Sequence, residues 1–326
     1  MELSANIERW PLANAFTISR GSKTEAVVVT VELRDGVHCG RGECVPYARY
    51  RETPEGVVAA IEAMRSALRY GLDRAALADA MPAGAARNAL DCALWDLSAK
   101  QTGRRVHALA GLAAPKPLVT AYTISLAAPA AMAAAAEQAA SRPLLKVKLG
   151  GGDDDGKRIA AVRRAAPNAE LIVDANEGWD ENNLAQNLAL CADEGVTLIE
   201  QPLPEGIDAA LARIKRPISI CADESVHDRG SLDALTGKFD AINIKLDKAG
   251  GLTEALALAA EAERRGFGIM VGCMVATSLA MAPAMLVSQR ARVVDLDGPL
   301  LLAKDRSDGL RYAGSLAYPP EPALWG

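Results

Sequence analysis

The chain has 326 residues, half of them hydrophobic, a formal net charge of −5 and a sequence pI of about 5.4. That suffices for one large domain, or a large domain with a smaller companion, and the dispersed Lys and Arg leave no basic face for nucleic acid. No apolar run reaches membrane-spanning length, and Met1 to Trp10, carrying Glu2 and Glu8, reads as no secretory signal, so the expectation is a cytoplasmic protein with no membrane or nucleic-acid partner.

Residues 1–50 read as antiparallel β-structure. Val27 to Val31 is strand-rich, Asp35-Gly36 signals a hairpin, and Val37 to Val45 returns. A polar loop, Ser19 to Lys23, separates the first strands, and a second loop runs from Pro46 to Thr53 with Tyr47, Arg49 and Tyr50. Thr53-Pro54-Glu55 opens a helix expected to reach Tyr70, and a stronger helix is expected from Ala85 to Lys100. Residues 1–110 therefore predict an α+β domain, with Pro115 and Pro117 marking its end.

From Leu118 the pattern changes to short apolar strands alternating with helical segments. Strands are expected at 119–126, 144–149, 170–175, 197–202, 217–223, 241–247, 268–274 and 292–297. Eight such units predict a parallel (β/α)8 barrel. An open doubly wound sheet is the alternative, but no GxGxxG follows an early strand. The six cysteines form no CxxC pair and the three histidines make no ligand pattern, which favours a reduced chain without zinc.

The ends of these strands carry charge where packing alone would place none: Lys146 and Lys148, Asp174, Glu200, Asp223, Lys245, then Asp295 and Asp297. A lone lysine such as Lys245, expected inside strand 241–247, would ordinarily snorkel out or pair with a carboxylate. Six charged strand ends on the catalytic face of a barrel point to function instead. Asp174, Glu200 and Asp223 on three successive strands would repel one another unless a cation sits among them, and three hard oxygens with open positions suit Mg2+. The competing explanation is a carboxylate–lysine network without metal.

Strands 2 and 6 stand four apart in an eight-stranded ring, so Lys148 and Lys245 are expected to flank a ligand from opposite sides. That arrangement suits a two-base transfer of an α-proton through an enediolate. Burial, the cation and neighbouring lysines are expected to lower the lysine pKa values toward working pH. Lys146, on the same strand face as Lys148, is expected to stabilise the developing oxyanion. Asp295 and Asp297 are expected to select a cationic group such as a free ammonium, a surface DxD pair being the plainer alternative.

The ordered set Lys146-Val-Lys148, Asp174-Ala-Asn176, Glu200-Gln-Pro202, Asp223-Glu224 and Lys245-Leu-Asp-Lys248 resembles the muconate-lactonizing subgroup of the enolase superfamily, and Asp295-Leu-Asp297 resembles its dipeptide epimerases. The likeness is strongest to those acting on L-Ala-Glu of murein peptides. It runs through Pro82 to Asp91, Ile220 to Ser225 and Asn243 to Glu254, and covers essentially the whole chain.

The resemblance implies a modified (β/α)7β barrel over residues 116–300, an α+β capping domain over 1–115, and a tail, 301–326, returning to the cap. It also implies Mg2+ at the triad, a dipeptide substrate, a homo-oligomer, and Arg20 meeting the glutamate side chain, against the plainer reading of a solvated loop arginine. A lyase or racemase of the same subgroup, such as o-succinylbenzoate synthase, muconate cycloisomerase or N-succinylamino acid racemase, and a barrel that only binds ligand, are the alternatives. The preferred dipeptide and the roles of Tyr47, Arg49 and Tyr50 are left open.

Overall fold

The computed structural model describes residues 1–150, 152 and 154–326. Its first part is an antiparallel sheet, β1 (Glu2–Ile18), β2 (Gly21–Asp35) and β3 (His38–Cys44), in that order. Pairing of β1 with β2 continues to Ile18 opposite Gly21, so Ser22 and Lys23 belong to the strand and only Ser19-Arg20 turns the corner. The expected five-residue loop is thus a tight hairpin tip.

Helices α1 (Pro54–Ala63), α2 (Arg65–Arg69), α3 (Arg74–Ala80), α4 (Ala85–Thr102) and α5 (Val106–Leu109) follow. Thr53 caps α1 by accepting from the Gly56 amide. The helix expected to reach Tyr70 breaks at Met64. Val29, Val31 and Leu33 of β2 share a buried core with Ile61, Leu77, Leu90 and Leu94. Helix α4 lies so close to β3 that a Cβ on Gly42 would stand 2.1 Å from the Ala89 carbonyl oxygen.

Strand β4 (Leu118–Val119) leads into the second part, which alternates β5 (Tyr122–Ile124), α6 (Pro129–Gln138), β6 (Leu144–Lys148), α7 (Asp155–Ala165), β7 (Glu170–Asp174), α8 (Leu184–Asp193), β8 (Val196–Glu200) and β9 (Ser219–Ala222). It continues with α9 (Leu232–Leu235), β10 (Ala241–Ile244), α10 (Leu246–Ala249), α11 (Leu252–Arg264), β11 (Gly268–Gly272), α12 (Ser278–Ser288) and β12 (Val293–Asp295). Strands β5 to β12 pair in parallel and in sequence order as one eight-stranded sheet. The Ala121 amide donates 2.8 Å to Val294 O, which brings the last strand against the first. No full helix follows β12; a single 3-10 turn, Gly298–Leu301, takes its place. The fold is a (β/α)7β barrel beside an antiparallel-sheet unit, and the open-sheet alternative is excluded.

One correction concerns β10. It ends at Ile244, not 247, and Lys245 caps a one-turn helix instead of lying within a strand. Gly250 and Gly251 then adopt φ of 81° and 115°, and a Cβ on either would collide with Arg87 or Asp91 of α4.

The two-residue period of the strands sorts the barrel into layers. Leu144, Ile172, Leu198, Cys221, Ala241, Met270 and Val293 form a closed apolar plug with Ala121. Their neighbours Val147, Val173, Ile199, Ala222, Ile242, Val271 and Val294 instead join the core shared with the helices. The next plug-side positions after Leu144, Ile172, Leu198, Cys221 and Ala241 are Lys146, Asp174, Glu200, Asp223 and Asn243. Charge thus begins one layer above the plug.

The tail closes the molecule. Strand β13 (Tyr312–Ala313) pairs with β14 (Leu316–Ala317), which pairs with β4; Ala303 N donates to Pro11 O, and Trp325 Nε1 donates to Cys92 O. All six cysteines are free. Among the described residues no helix is long and apolar enough to cross a membrane.

Candidate active site

A cavity of about 500 Å3 opens at the C-terminal ends of the barrel strands, beneath the hairpin tip of the first sheet and the segment 47–50. Asp223 lines it and converges with the buried Asp174 and Glu200, each of the three at most 2% exposed, with ligand atoms all within 4.8 Å of one another. Asn243 Nδ2 donates 2.6 Å to Glu200 Oε1. The backbone of Asp223 is fixed by its amide donating 2.8 Å to Gln201 Oε1.

Four lysines surround the triad. Lys148 Nζ lies 2.5 Å from Asp174, Lys245 Nζ 2.6 Å from Asp223 on one side, and Lys248 Nζ 2.5 Å from Asp223 on the other. Lys146 Nζ sits 2.7 Å from Asp295, 2.6 Å from Glu200 and 3.3 Å from Asp174. Among these four, only Lys148 and Lys245 line the cavity. They lie at the ends of β6 and β10, and the intervening β7, β8 and β9 lead to the three carboxylates.

The electrostatics differ from expectation. Burial acts to lower the pKa of Lys245, but Asp223 and Glu200 outweigh it and hold the value well above the ordinary one. Burial likewise opposes Asp295, Glu200 and Asp174 at Lys146, with the same outcome. At Lys146 and Lys245 the expected lowering is therefore not what the protein's own charges produce; the carboxylates dominate. Among the acids, burial raises Asp174 and Asp223, yet the lysines pull both below the ordinary range. Glu200 goes the other way, pushed up to about 8 by burial and then by Asp174.

That resistance of Glu200 to ionisation tests the metal assignment. The lysines hold two of the three carboxylates as anions but not the third. The donor set, three buried hard oxygens on adjacent strand ends, fits a hard divalent cation, whose charge would hold all three ionised. The lysine–carboxylate network and a metal site thus share the same residues.

Asp295 and Asp297 are placed less simply than the sequence suggested. Asp295 pairs with Lys146 and keeps Oδ1 buried without a hydrogen-bond partner among the described residues. Asp297 lies beyond the strand and accepts 2.7 Å from the Thr123 amide; burial and then Asp295 push it up to about 7. Neither lines the cavity.

Arg20 lines the cavity and is also tied to the protein around it. It donates to Asn176 O at 2.8 Å, Glu224 Oε1 at 2.7 Å, Glu177 Oε2 at 3.1 Å and Tyr47 Oη at 3.2 Å. The lining cation without a carboxylate partner among the described residues is Lys23, which faces the Phe16 ring at 5.7 Å. Burial, then Lys148, lowers Lys23 to about 8. Sequence reading had placed Lys23 in a loop without a role. Its signal was strand alternation, which puts it opposite Phe16 in the β1–β2 register. Tyr47, Arg49 and Tyr50 all line the cavity.

Comparison with known proteins agrees with this geometry. The N-terminal domain of the mandelate racemase/muconate lactonizing enzyme family matches residues 1–111, and the enolase C-terminal domain-like family matches residues 130–317. The L-Ala-D/L-Glu epimerase of Escherichia coli K12 is 48% identical, with 94% of this chain and 95% of that protein covered. An N-acetyl-D-glutamate racemase from a Pseudoalteromonas species is 45% identical, over 92% of this chain and 95% of that one.

Among solved structures, an enolase family member from Agrobacterium tumefaciens with homology to dipeptide epimerases, carrying sodium, L-Ala-L-Glu and an ordered loop, superposes with a TM-score of 0.98. It is 59% identical, and 99% of each chain is covered. A dipeptide epimerase from Cytophaga hutchinsonii, complexed with Mg and D-Ala-L-Val, is 28% identical with a TM-score of 0.90, covering 98% of this chain and 94% of that one. With both domains matched and the barrel, triad and lysines in place, this chain belongs to the mandelate racemase/muconate lactonizing enzyme family of the enolase superfamily.

Proposed function

We propose that this chain is a Mg2+-dependent dipeptide epimerase that inverts the α-carbon of the C-terminal residue of L-Ala-L-Glu or L-Ala-D-Glu. The observation that carries this reading is the pair Lys148 and Lys245, the two lysines of the triad cluster that reach the cavity, on strands separated by the three acidic ones. Binding a carboxylate needs no such opposed pair. Removing a proton from one face of a carbon and returning one to the other does.

Asp174, Glu200 and Asp223 would hold the metal. When bound, Mg2+ supplies positive charge beside the substrate carboxylate and so favours loss of the α-proton. Lys148 and Lys245 take the two proton-transfer roles, one as base and the other as acid, exchanging with direction. Lys146, locked among Asp295, Glu200 and Asp174, keeps a fixed cation below the reacting carboxylate and opposes charge build-up on it. Lys23, the lining cation without a carboxylate partner among the described residues, reads the glutamate side chain, with Arg20 lining the same cavity. Asp295 Oδ1 and Asp297, buried behind the cavity lining, are the acceptors a substrate ammonium would meet on passing beyond it. Murein peptide turnover in the cytoplasm is the setting this substrate implies.

The direct test is incubation with L-Ala-L-Glu and Mg2+ in D2O, following the Glu α-proton by NMR. Wash-out of that signal with growth of L-Ala-D-Glu, abolished by chelation, is the expected result. A racemase acting on an N-acylated glutamate is the second reading, because Asp295 and Asp297 already have partners in the protein and such a substrate brings no ammonium. N-acetylglutamate in the same assay separates the two: exchange there and not with the dipeptide would displace the first reading.

A further inference from the structure

We infer that Glu177 is the catch on which both cavity-covering segments of the first domain close, the hairpin tip through Arg20 and the segment 47–51 through Arg49. Arg49 grips it in a two-pronged pair, Nε to Oε2 at 2.9 Å and Nη2 to Oε1 at 2.8 Å. Arg20 Nη1 reaches the same Oε2 at 3.1 Å, and the Glu205 amide donates 2.8 Å to Oε1. One carboxylate on the barrel thus accepts from both covering segments. Its side chain is only 8% exposed, whereas the two arginines are 27% and 33% exposed. Glu177 does not line the cavity, so it acts through the residues it holds and is a positioning residue.

The backbone is shaped for this task. Asn176 and Glu177 both have left-handed φ, 45° and 64°, and so does Gln201 at 33°, whose carbonyl accepts the Glu177 amide at 2.9 Å. Left-handed backbone at non-glycine residues is disfavoured and persists where the surroundings fix it. Here it turns the chain out of β7 directly after Asp174 and exposes Asn176 O, which accepts from Ser19 Oγ and Arg20 together. The other prong of Arg20 ends on Glu224, the neighbour of Asp223. Closure of the hairpin is thereby tied to two of the strand ends that carry the triad.

The inference rests on the cavity being the substrate site, and its main test needs no substrate. Trypsin cleaves after Arg20, Arg49 and Arg51, so it reports opening of both segments in the intact, unliganded protein. Glu177→Gln is expected to speed cleavage at Arg20 and at Arg49–Arg51 together, about tenfold, as expected for loss of a charge-assisted pair, with the rest of the chain still resistant. Unchanged cleavage, or release of one segment alone, would overturn it. Should Glu177→Gln fail to fold, Arg49→Lys breaks the two-pronged grip while keeping a charge and a cleavage site. It should release 47–51 and leave Arg20 protected; equal protection of both would count against the catch. In turnover of L-Ala-L-Glu, Glu177→Gln should raise KM about tenfold and change kcat less. If the unsubstituted protein does not turn over the dipeptide, the proposed function fails while the cleavage result still decides the catch.

Discussion

Lys148 and Lys245 share their neighbourhood with Lys146 and Lys248, yet only the first two meet the cavity. On the proposed mechanism their roles are separable, because each would serve a different face of the substrate α-carbon. Lys148→Ala and Lys245→Ala should each lower epimerisation by at least about a hundredfold. In D2O each variant should retain exchange from one epimer of L-Ala-Glu and lose it from the other. Loss of exchange from both epimers in both variants would mean that the lysines do not act as separate bases. Lys23 allows a second test at this scale. Lys23→Met should raise KM for L-Ala-L-Glu about tenfold or more, the order expected for losing a charged hydrogen bond. A dipeptide with an uncharged C-terminal side chain should be affected much less; equal effects on both would remove Lys23 from recognition. Residue identities at strand ends were legible in the sequence, because charge after an apolar run is conspicuous. The partner of Arg20 was not, since Glu177 and Glu224 lie more than 150 residues away along the chain.

At the scale of elements, period and capping carried most of the information. Thr53-Pro54 opened α1 where expected, and all eight barrel strands fell within a few residues of their expected limits. The failures have physical causes. Helix α10 is one turn long, too short for any periodic signal, so the strand that ends at Ile244 is expected to run on to Asp247. Helix α5 is equally short, four residues, and α3 has only seven. The contact of α4 with β3 was also hidden, because a glycine in a strand does not announce what approaches it. That contact can be tested. Gly42→Ala places its Cβ 2.1 Å from a helix carbonyl, and backbone on both sides leaves no flexible end to yield. A loss of about 1–3 kcal/mol is expected, as for overpacked cores. Urea denaturation would measure it, and an unchanged midpoint would show that α4 can slide on the sheet.

Taken whole, the molecule is two units locked by a buried polar seam. Arg87 of α4 donates to the carbonyls of Ala249 and Gly250, Asp91 accepts from Thr253, and Asn88 Nδ2 and the Val45 amide both donate to Asp247 Oδ1, at 2.8 and 3.0 Å. The sequence showed the two units and their order, because helical period and strand alternation are local. It could not show the seam, whose partners are far apart along the chain and whose polar residues look like surface when read singly. Asp247 lies only two residues from Lys245, so the same short segment carries a cavity-lining lysine and the joint. Burial pushes the Asp247 carboxyl up to about 7 from its ordinary value of 3.8, against the lowering effect of the Val45 and Asn88 hydrogen bonds. The unfolded chain therefore releases this proton near pH 4 and the folded chain only near 7. Between those values the folded state binds more protons, so the contribution of Asp247 to stability is complete below pH 4 and is lost as pH rises toward 7. Asp247→Asn keeps an oxygen to accept both donors and removes the titration. Its thermal midpoint should fall less than that of the unsubstituted protein between pH 4 and 7, the two differing most at the upper end. Parallel profiles would show that the Asp247 carboxyl does not hold its proton across that range.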